Sequence, residues 1–367
     1  MATADDIALT LHPGLGPRGA VYLLSVFGSA ENVYSAGLPE LQLEAGLKPD
    51  TARSIVRKST HREAEAEMRY LHGHGLAAIA STDEDYPALL TDCPDYPHVL
   101  YVRGNPGVLR GRALTIVGTR RITPYGQRSA ARLVAELAAC APDTVLVSGL
   151  AFGTDAACHR AALENGLAQV AVLANPLPGV TPAQHETIAR EIVRAGGALV
   201  SELHSGVPAN PGLFVQRNRI LAGMSAGTVV VESPLKGGSM ITASLADGYQ
   251  RSVMALPGRA DDFSSAGCND LIRRRKAQCV CGGADIAHEL GWDILSPGRV
   301  PHAPVMQMVL TETEKTVVGV FGDGETLDPD TVSRRSGFGV GEVNAVLLEM
   351  ELGGVLRQLP GKRYEKV

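Results

Sequence analysis

From about residue 83 to 295 one pattern repeats along the chain. A short apolar run ends in Gly, Ser, Thr or Asn and gives way to an alanine-rich stretch. ALTIVGT, TVLVSGL, AQVAVLAN, ALVSEL, GTVVVES and SVMALPG are continuous rather than alternating, which predicts strands buried on both faces. The segments between them mostly read as helices. Apolar strands alternating with helices predict an α/β domain with an extended Rossmann-like parallel sheet, and ligands on such sheets gather at the carboxyl ends of the strands.

The flanks have a different texture. Residues 1–82, with LHPGLGPRGAVYLLSVFGSAENVYSAGLPEL, alternate short helical stretches with glycine turns and predict a small helical domain. Its GLGPRGA turn fits either a helix-hairpin-helix or sterile-alpha-motif-like unit that aims a helix at phosphate, or a plain interhelical turn. Residues 295–308 open with the proline-rich LSPGRVPHAP and read as a linker. Over 309–367 a capping-box pattern from Thr311 to Glu314 precedes helices expected near 311–321, 328–335 and 340–352. GGVLRQLPGKRYEKV then reads as a hairpin. Three helices and a hairpin describe a winged helix.

Composition narrows the function. A chain of 367 residues with 45% apolar content is large enough for more than one domain. A net charge of −5 excludes a general nucleic-acid coating protein, so any DNA binding must be local. The six cysteines are scattered and the opening MATADDIALT is no export signal, so a cytoplasmic protein with reduced thiols is expected. Cys279-Val-Cys281 has no second pair at zinc-finger spacing; no metal and no cofactor is expected. No apolar run approaches the roughly 20 residues of a membrane span. Residues 309–367 hold seven basic and ten acidic side chains, a poor balance for major-groove binding of duplex.

The positive charge is concentrated. Between Tyr96 and Ala135 there are seven arginines and no acid, and Arg120 and Arg121 directly follow the strand ALTIVG. That places them on the ligand-binding edge, beside the free N–H groups that open the next helix. A second acid-free stretch, Leu203–Val231, sets Arg217, Asn218 and Arg219 beside Phe214. Cations for a backbone and a flat face for a base suit single-stranded nucleic acid; core packing of Phe214 and a structural ion pair for Arg217 are the alternative. LIRRRKAQC adds a run of four cations that reads as a solvated rim.

VESPLKGGSMITASLADGYQ runs from strand through a glycine pair and hydroxyls into a helix, yet carries neither GxGxxG nor a lysine followed by Ser or Thr. Gly237 and Gly238 let backbone approach an anion, while Ser239 and Thr242 can cap the helix or donate to an oxygen. No catalytic constellation accompanies this turn. Asp155 is placed to cap a helix or meet a ribose or base edge, and His159 shares its helical face, but no nucleophile stands with them. Ser148 and Ser201 lack the G-x-S-x-G elbow. Glu202 and Glu232 each follow a strand and can bind sugar hydroxyls or anchor arginines. No catalytic residue is assigned.

DYPALLTDCPDYPHVLYVRGN, TIVGTRRITPYGQ, VSGLAFGTDAACHRAAL, FVQRNRILAGMSAGTVVVES, GGSMITASLA and SVMALPG, followed by SSAGCNDLI, resemble in order the motif series of the DNA-processing protein A (DprA/Smf) family. The ends are similar too, since that family often carries an N-terminal sterile-alpha-motif-like domain and a C-terminal winged helix. The resemblance implies a non-catalytic role: binding and protecting single-stranded DNA and loading a RecA-type recombinase during natural transformation. It also implies a homodimer through the Rossmann domain, and single-strand-binding protein as a further partner. By motif, Gly118, Thr119 and Arg120, with Arg121, hold phosphate, while Ser148, Gly149 and Gly153 shape the neighbouring loop near Asp155. Phe214, Arg217, Asn218 and Arg219 meet base and backbone, and Gly238, Ser239 and Thr242 complete the cradle.

The chain departs from the family pattern in several places. Thr154 stands where isoleucine is usual, Val215 replaces proline, LANPLPGVTPAQHE replaces a GCG-type turn, and ANPGLF lacks a basic residue before the aromatic. The competing reading is a phosphoribohydrolase-like enzyme, whose PGGxGTxxE motif supplies a catalytic acid; KGGSMITASLA has the glycines, but no glutamate follows on the helix. A duplex-specific regulator acting through the winged helix is a third.

Overall fold

The computed structural model describes residues 1–292, 311–322, 325–352, 355–359 and 363–366. The expected linker, 295–308, lies outside them. The chain divides into two units, Met1–Ser296 and Pro297–Val367.

The first unit is built on nine strands: Ala77–Ala80 (β1), Val99–Gly104 (β2), Arg112–Val117 (β3), Thr144–Ser148 (β4), Ala168–Val172 (β5), Ala198–Ser201 (β6), Gly227–Val230 (β7), Ser252–Ala255 (β8) and Gln278–Cys279 (β9). Their order is β1-β2-β6-β5-β4-β3-β7-β8-β9. The sheet is parallel from β6 to β9, and β1 and β2 are added antiparallel at one edge. All six apolar runs are strands of the parallel part. Successive residues of each strand face opposite helical layers, which is why the runs are continuous. In β3, Leu114 and Ile116 pack with Leu133 and Leu137 of the helix Pro124–Cys140, while Ala113 and Val117 pack with Ile220 and Ala243 on the other face. Each fully buried leucine contributes about 1.5–3 kcal/mol of burial free energy.

The sheet starts before residue 82, because β1 lies within the segment expected to be wholly helical. Helices Ala4–Thr10, Gly16–Phe27, Ala30–Ser35, Leu38–Leu43, Pro49–Val56 and His61–Gly73 precede it. They share an apolar cluster with the sheet: Ile7, Leu23, Leu41 and Ile55 join Val99, Tyr101 and Leu199. Polar ties reinforce the packing, with Ala2 N–H donating to Ala78 O at 2.9 Å and the His98 ring 2.8 Å from the Asp6 carboxylate. GLGPRGA forms the turn into Gly16–Phe27, with Gly14 at φ +78° and Gly16 at φ +60°.

Topology creates the crevice. From β3 the chain runs to β4, β5 and β6 on one side, then returns across to β7 on the other side of β3. Connections leaving β3 and β7 therefore diverge, and the gap at their carboxyl ends is the switch point where such sheets bind ligands.

In the second unit, helices Glu312–Gly319, Pro329–Ser336 and Val340–Leu352 lead to antiparallel strands Leu356–Leu359 and Arg363–Lys366. The capping box is present: Glu314 N–H donates to Thr311 Oγ1 at 3.3 Å, and Thr311 N–H to the Glu314 carboxylate at 2.6 Å. Val317, Val332, Leu347, Met350 and Tyr364 form its core, the arrangement of a winged helix. Among the described residues of the whole chain, no helix is long and apolar enough to cross a membrane.

Candidate functional site

The crevice holds a cavity of about 370 Å3 walled by three segments: the loop after β3, the helix Gly212–Gly223, and the turn from β7 into the helix Gly238–Gly248. Gly118, Thr119 and Arg120 line the first wall, Phe214, Arg217 and Asn218 the second, and Gly238, Ser239 and Thr242 the third, with Asp155 at the base. Residues more than a hundred positions apart in sequence thus surround one space.

The β3 loop is held from behind. Thr119 N–H donates to Glu232 O at 2.6 Å, and the Glu232 carboxylate accepts from Thr123 N–H at 2.9 Å and Thr123 Oγ1 at 2.6 Å. Glu232 is therefore an internal brace and not a ligand for sugar. Thr154, the departure from the family's isoleucine, adds a clamp: its Oγ1 donates to Thr119 O at 3.2 Å and its N–H to the same oxygen at 3.1 Å. Gly118 is obligatory here, since a Cβ would lie 2.3 Å from Thr154 Oγ1. Held this way, Arg120 is exposed, with its guanidinium 5.1 Å from the centre of the Phe214 ring. Among the described residues neither Arg120 nor Arg121 has an acidic partner.

Arg217 is the opposite case. It is 5% exposed and forms part of the floor, with Nη1 donating to Gly149 O at 2.9 Å and to Val172 O. Burial brings its pKa down to about 10, against the pull of Asp155, so it remains a cation near neutrality. Burial likewise pushes the Asp155 carboxyl up, opposed by the Arg217 charge and by Ala151 N–H, which donates to it at 3.2 Å. Gly149 makes room for this arrangement: a Cβ there would stand 2.4 Å from the Arg217 guanidinium.

The third wall offers backbone. The hydroxyls expected to donate are already committed, Ser239 Oγ to Ser233 Oγ at 2.8 Å and Thr242 Oγ1 to Gly238 O at 3.3 Å. Asn218 Nδ2 reaches the same Gly238 carbonyl at 3.4 Å. The N–H groups of Gly238 and Ser239, the first two of their helix, have no acceptor among the described residues. Such groups, at the positive end of a helix, favour an anion.

Several expected site residues lie outside the cavity lining. Arg219 turns away and pairs with Glu202 at the end of β6, both nearly buried, so it is a structural ion pair and offers no charge to a ligand. Ser148 is fully buried, its Oγ donating to Ile116 O at 2.7 Å. Gly149 and Gly153 act through backbone space, and Gly153, at φ +79°, abuts Thr119 and Arg120 so closely that a Cβ would be 2.3 Å from Thr119 O. Arg121 faces a neighbouring groove with Arg120. Of the rim cations, Arg274 binds Asp270 at 2.9 Å, and Arg273 joins the same carboxylate. His159 is fully buried with Nδ1 2.8 Å from the Gln169 side chain, and burial brings its pKa down to about 4. Sequence reasoning did not single out Phe152, which stands on the loop after β4 with 47% of its surface exposed; an aromatic directly before the glycine that opens the next helix was the available signal.

Comparison with known proteins gives these features a family. Residues 77–291 match the model of the DNA recombination-mediator protein A family, and residues 301–362 match the DprA winged helix domain. Protein Smf of Escherichia coli K12 is 36% identical over 312 residues, covering 84% of this chain and 81% of Smf. The X-ray structure of DNA processing protein A from Streptococcus pneumoniae superposes with a TM-score of 0.69 at 27% identity, over 78% of this chain and 98% of that one. DNA processing protein A from Helicobacter pylori, whose structure addresses its single-stranded DNA binding mode, gives a TM-score of 0.52 at 28% identity, over 59% and 96%. With the family model matched over residues 77–291, more than half of the chain, and a Smf relative 36% identical over 84% of it, the chain belongs to the DNA recombination-mediator protein A (DprA/Smf) family.

Proposed function

We propose that this protein binds single-stranded DNA in the crevice, protects incoming DNA during natural transformation, and loads a RecA-type recombinase onto it. In this reading it works in the cytoplasm as a homodimer joined through the Rossmann domain, on strands also occupied by single-strand-binding protein. It holds the strand without breaking a bond. One observation carries the reading: Arg120, free of any acidic partner among the described residues, stands over Phe214 opposite the unpaired N–H groups of Gly238 and Ser239. Two anion-seeking walls and an aromatic face suit a phosphodiester chain with accessible bases, since stacking on an aromatic tolerates any base.

The test compares single-strand and duplex affinity across a salt series, with molecular mass measured in the same solutions. Neutralising three or four phosphates gives log K against log salt a slope of roughly −2 to −3 for a single strand. Equal affinity for duplex, or a flat slope, overturns the binding mode. For loading, the protein should accelerate recombinase filament formation on a strand coated with single-strand-binding protein; no acceleration at saturation removes that role. Catalytic release of free base from nucleoside monophosphates would favour the phosphoribohydrolase-like alternative.

A further inference from the structure

Beside the cavity lies a second, more open hollow of about 750 Å3, lined by Arg120, Arg121, Phe152, Arg160, Gln184 and His185 among others. We propose that it is a second nucleotide subsite on the same strand, in which Phe152 stacks a base while Arg121 and Arg160 hold the adjoining phosphates. The proposal rests on the single-strand reading above and extends it past Arg120.

Three observations converge on it. First, Arg120 borders both hollows, so a phosphate on its guanidinium joins the two. The backbones confirm the proximity: Gly153, next to Phe152, is in direct contact with the backbone of Thr119 and Arg120. Second, Phe152 is presented outward by a loop that otherwise faces inward. Leu150 is fully buried at φ +54°, an uncommon conformation for a residue with a side chain, and Ala151 is buried too, yet the aromatic between Ala151 and Gly153 is left half exposed. The ring has a support: the His185 imidazole lies 4.9 Å away, tilted by 66°, and is itself buried with Nδ1 2.7 Å from Leu150 O. A ring held half in solvent beside cations keeps a flat apolar face on which a base can stack.

Third, the charge is available. Arg121 and Arg160 are exposed, and neither has an acidic partner among the described residues, whereas Arg103, Arg110, Arg112 and Arg132 elsewhere in the unit all do. Glu164 also lines this hollow, one acid against three arginines. Cations flanking an exposed aromatic make a stacking platform for single-stranded nucleic acid.

Oligothymidylates of increasing length provide the test, with Phe152→Ala, Phe152→Trp and the Arg121→Ala/Arg160→Ala double variant. Phe152→Ala should leave the shortest binding oligomer unaffected and weaken long ones at least about fivefold, the lower end for loss of one stacked base. Phe152→Trp should restore long-oligomer affinity and report stacking by quenching of the introduced indole, because Trp292, the chain's own tryptophan, is buried. The double arginine variant should make the salt slope shallower by up to about 1.4, or about 0.7 per phosphate lost. If Phe152→Ala leaves every length unchanged and the indole is not quenched, while Arg120→Ala still weakens binding, the second subsite is wrong and the single-strand reading stands. Absence of wild-type binding to any oligothymidylate overturns both.

Discussion

Arg120 and Arg217 border the same cavity from different walls. Arg120 sits on a braced loop, exposed, with an aromatic ring as its near neighbour and no carboxylate partner among the described residues. Arg217 is buried in the helix Gly212–Gly223, its Nη1 shared between two backbone carbonyls and its charge set against Asp155. Both come from acid-free stretches of sequence and both follow the same family pattern. Their surroundings assign them different work. A guanidinium already desolvated and bonded to carbonyls shapes the floor, whereas one left hydrated can exchange water for phosphate.

The comparison can be broken at several points. The largest effect is expected from Arg217→Met, which leaves Asp155 without its counter-charge and two carbonyls without a donor. Urea unfolding should show a loss of about 3–5 kcal/mol, the scale for two buried carbonyls left without a donor beside a buried carboxyl that has lost a nearby positive charge. A variant that unfolds with the wild type would mean that Arg217 is no part of the fold's support.

His159 marks the other outcome for a buried base, which is to surrender its proton. With a folded pKa of about 4 and an unfolded value near 6.5, the unfolded chain takes up the proton first. Stability should therefore fall as pH drops from about 6.5 to about 4, by on the order of 3 kcal/mol. His159→Gln should flatten that part of the stability profile in chemical denaturation across the window; an unchanged profile would place the proton elsewhere.

Arg120→Ala reverses the Arg217 pattern. Stability should change by no more than about 0.5 kcal/mol, while single-strand affinity at low salt falls about tenfold or more, the scale of one charge-assisted hydrogen bond. The salt slope should become shallower by about 0.7. Fluorescence anisotropy over a salt series reads both quantities, and unchanged affinity would count directly against the crevice as the site.

The smallest effect sharpens the contrast. Arg128 is exposed on the helix Pro124–Cys140 and lines neither hollow. Arg128→Ala should alter stability by no more than about 0.5 kcal/mol and affinity within about twofold, since a solvated charge away from the strand is screened. A loss equal to that of Arg120→Ala would replace a defined site with diffuse attraction.

Much of this architecture was legible from residues alone, for local reasons. Strands buried on both faces must be apolar throughout, so the six runs announced the parallel sheet. The glycines at Gly118, Gly149, Gly153 and Gly238 marked the carboxyl edge where the crevice lies, and Thr311 with Glu314 marked the start of the winged helix. Harder to see were pairings made at long range. Arg219 lies on the helix Gly212–Gly223 with no acid near it in sequence, and its partner Glu202 comes from the end of β6. Glu232 fits a sugar ligand or an arginine anchor by sequence, whereas its carboxylate accepts from Thr123, 109 positions away. The edge strands β1 and β2 escaped because they lie outside the parallel repeat and close the sheet antiparallel.

By itself, then, the order of apolar runs and glycine corners determined a doubly covered parallel sheet, the edge where its glycine corners gather, and the largely helical and winged-helix flanks, because periodicity and turn chemistry act over a few residues. Which arginine stays wet, which hydroxyl is already committed, and which aromatic is left facing solvent were decided only when β3, β4 and β7 came together. Desolvation and hydrogen-bond partnership depend on every neighbour in space, and in this crevice those neighbours come from segments more than a hundred residues apart.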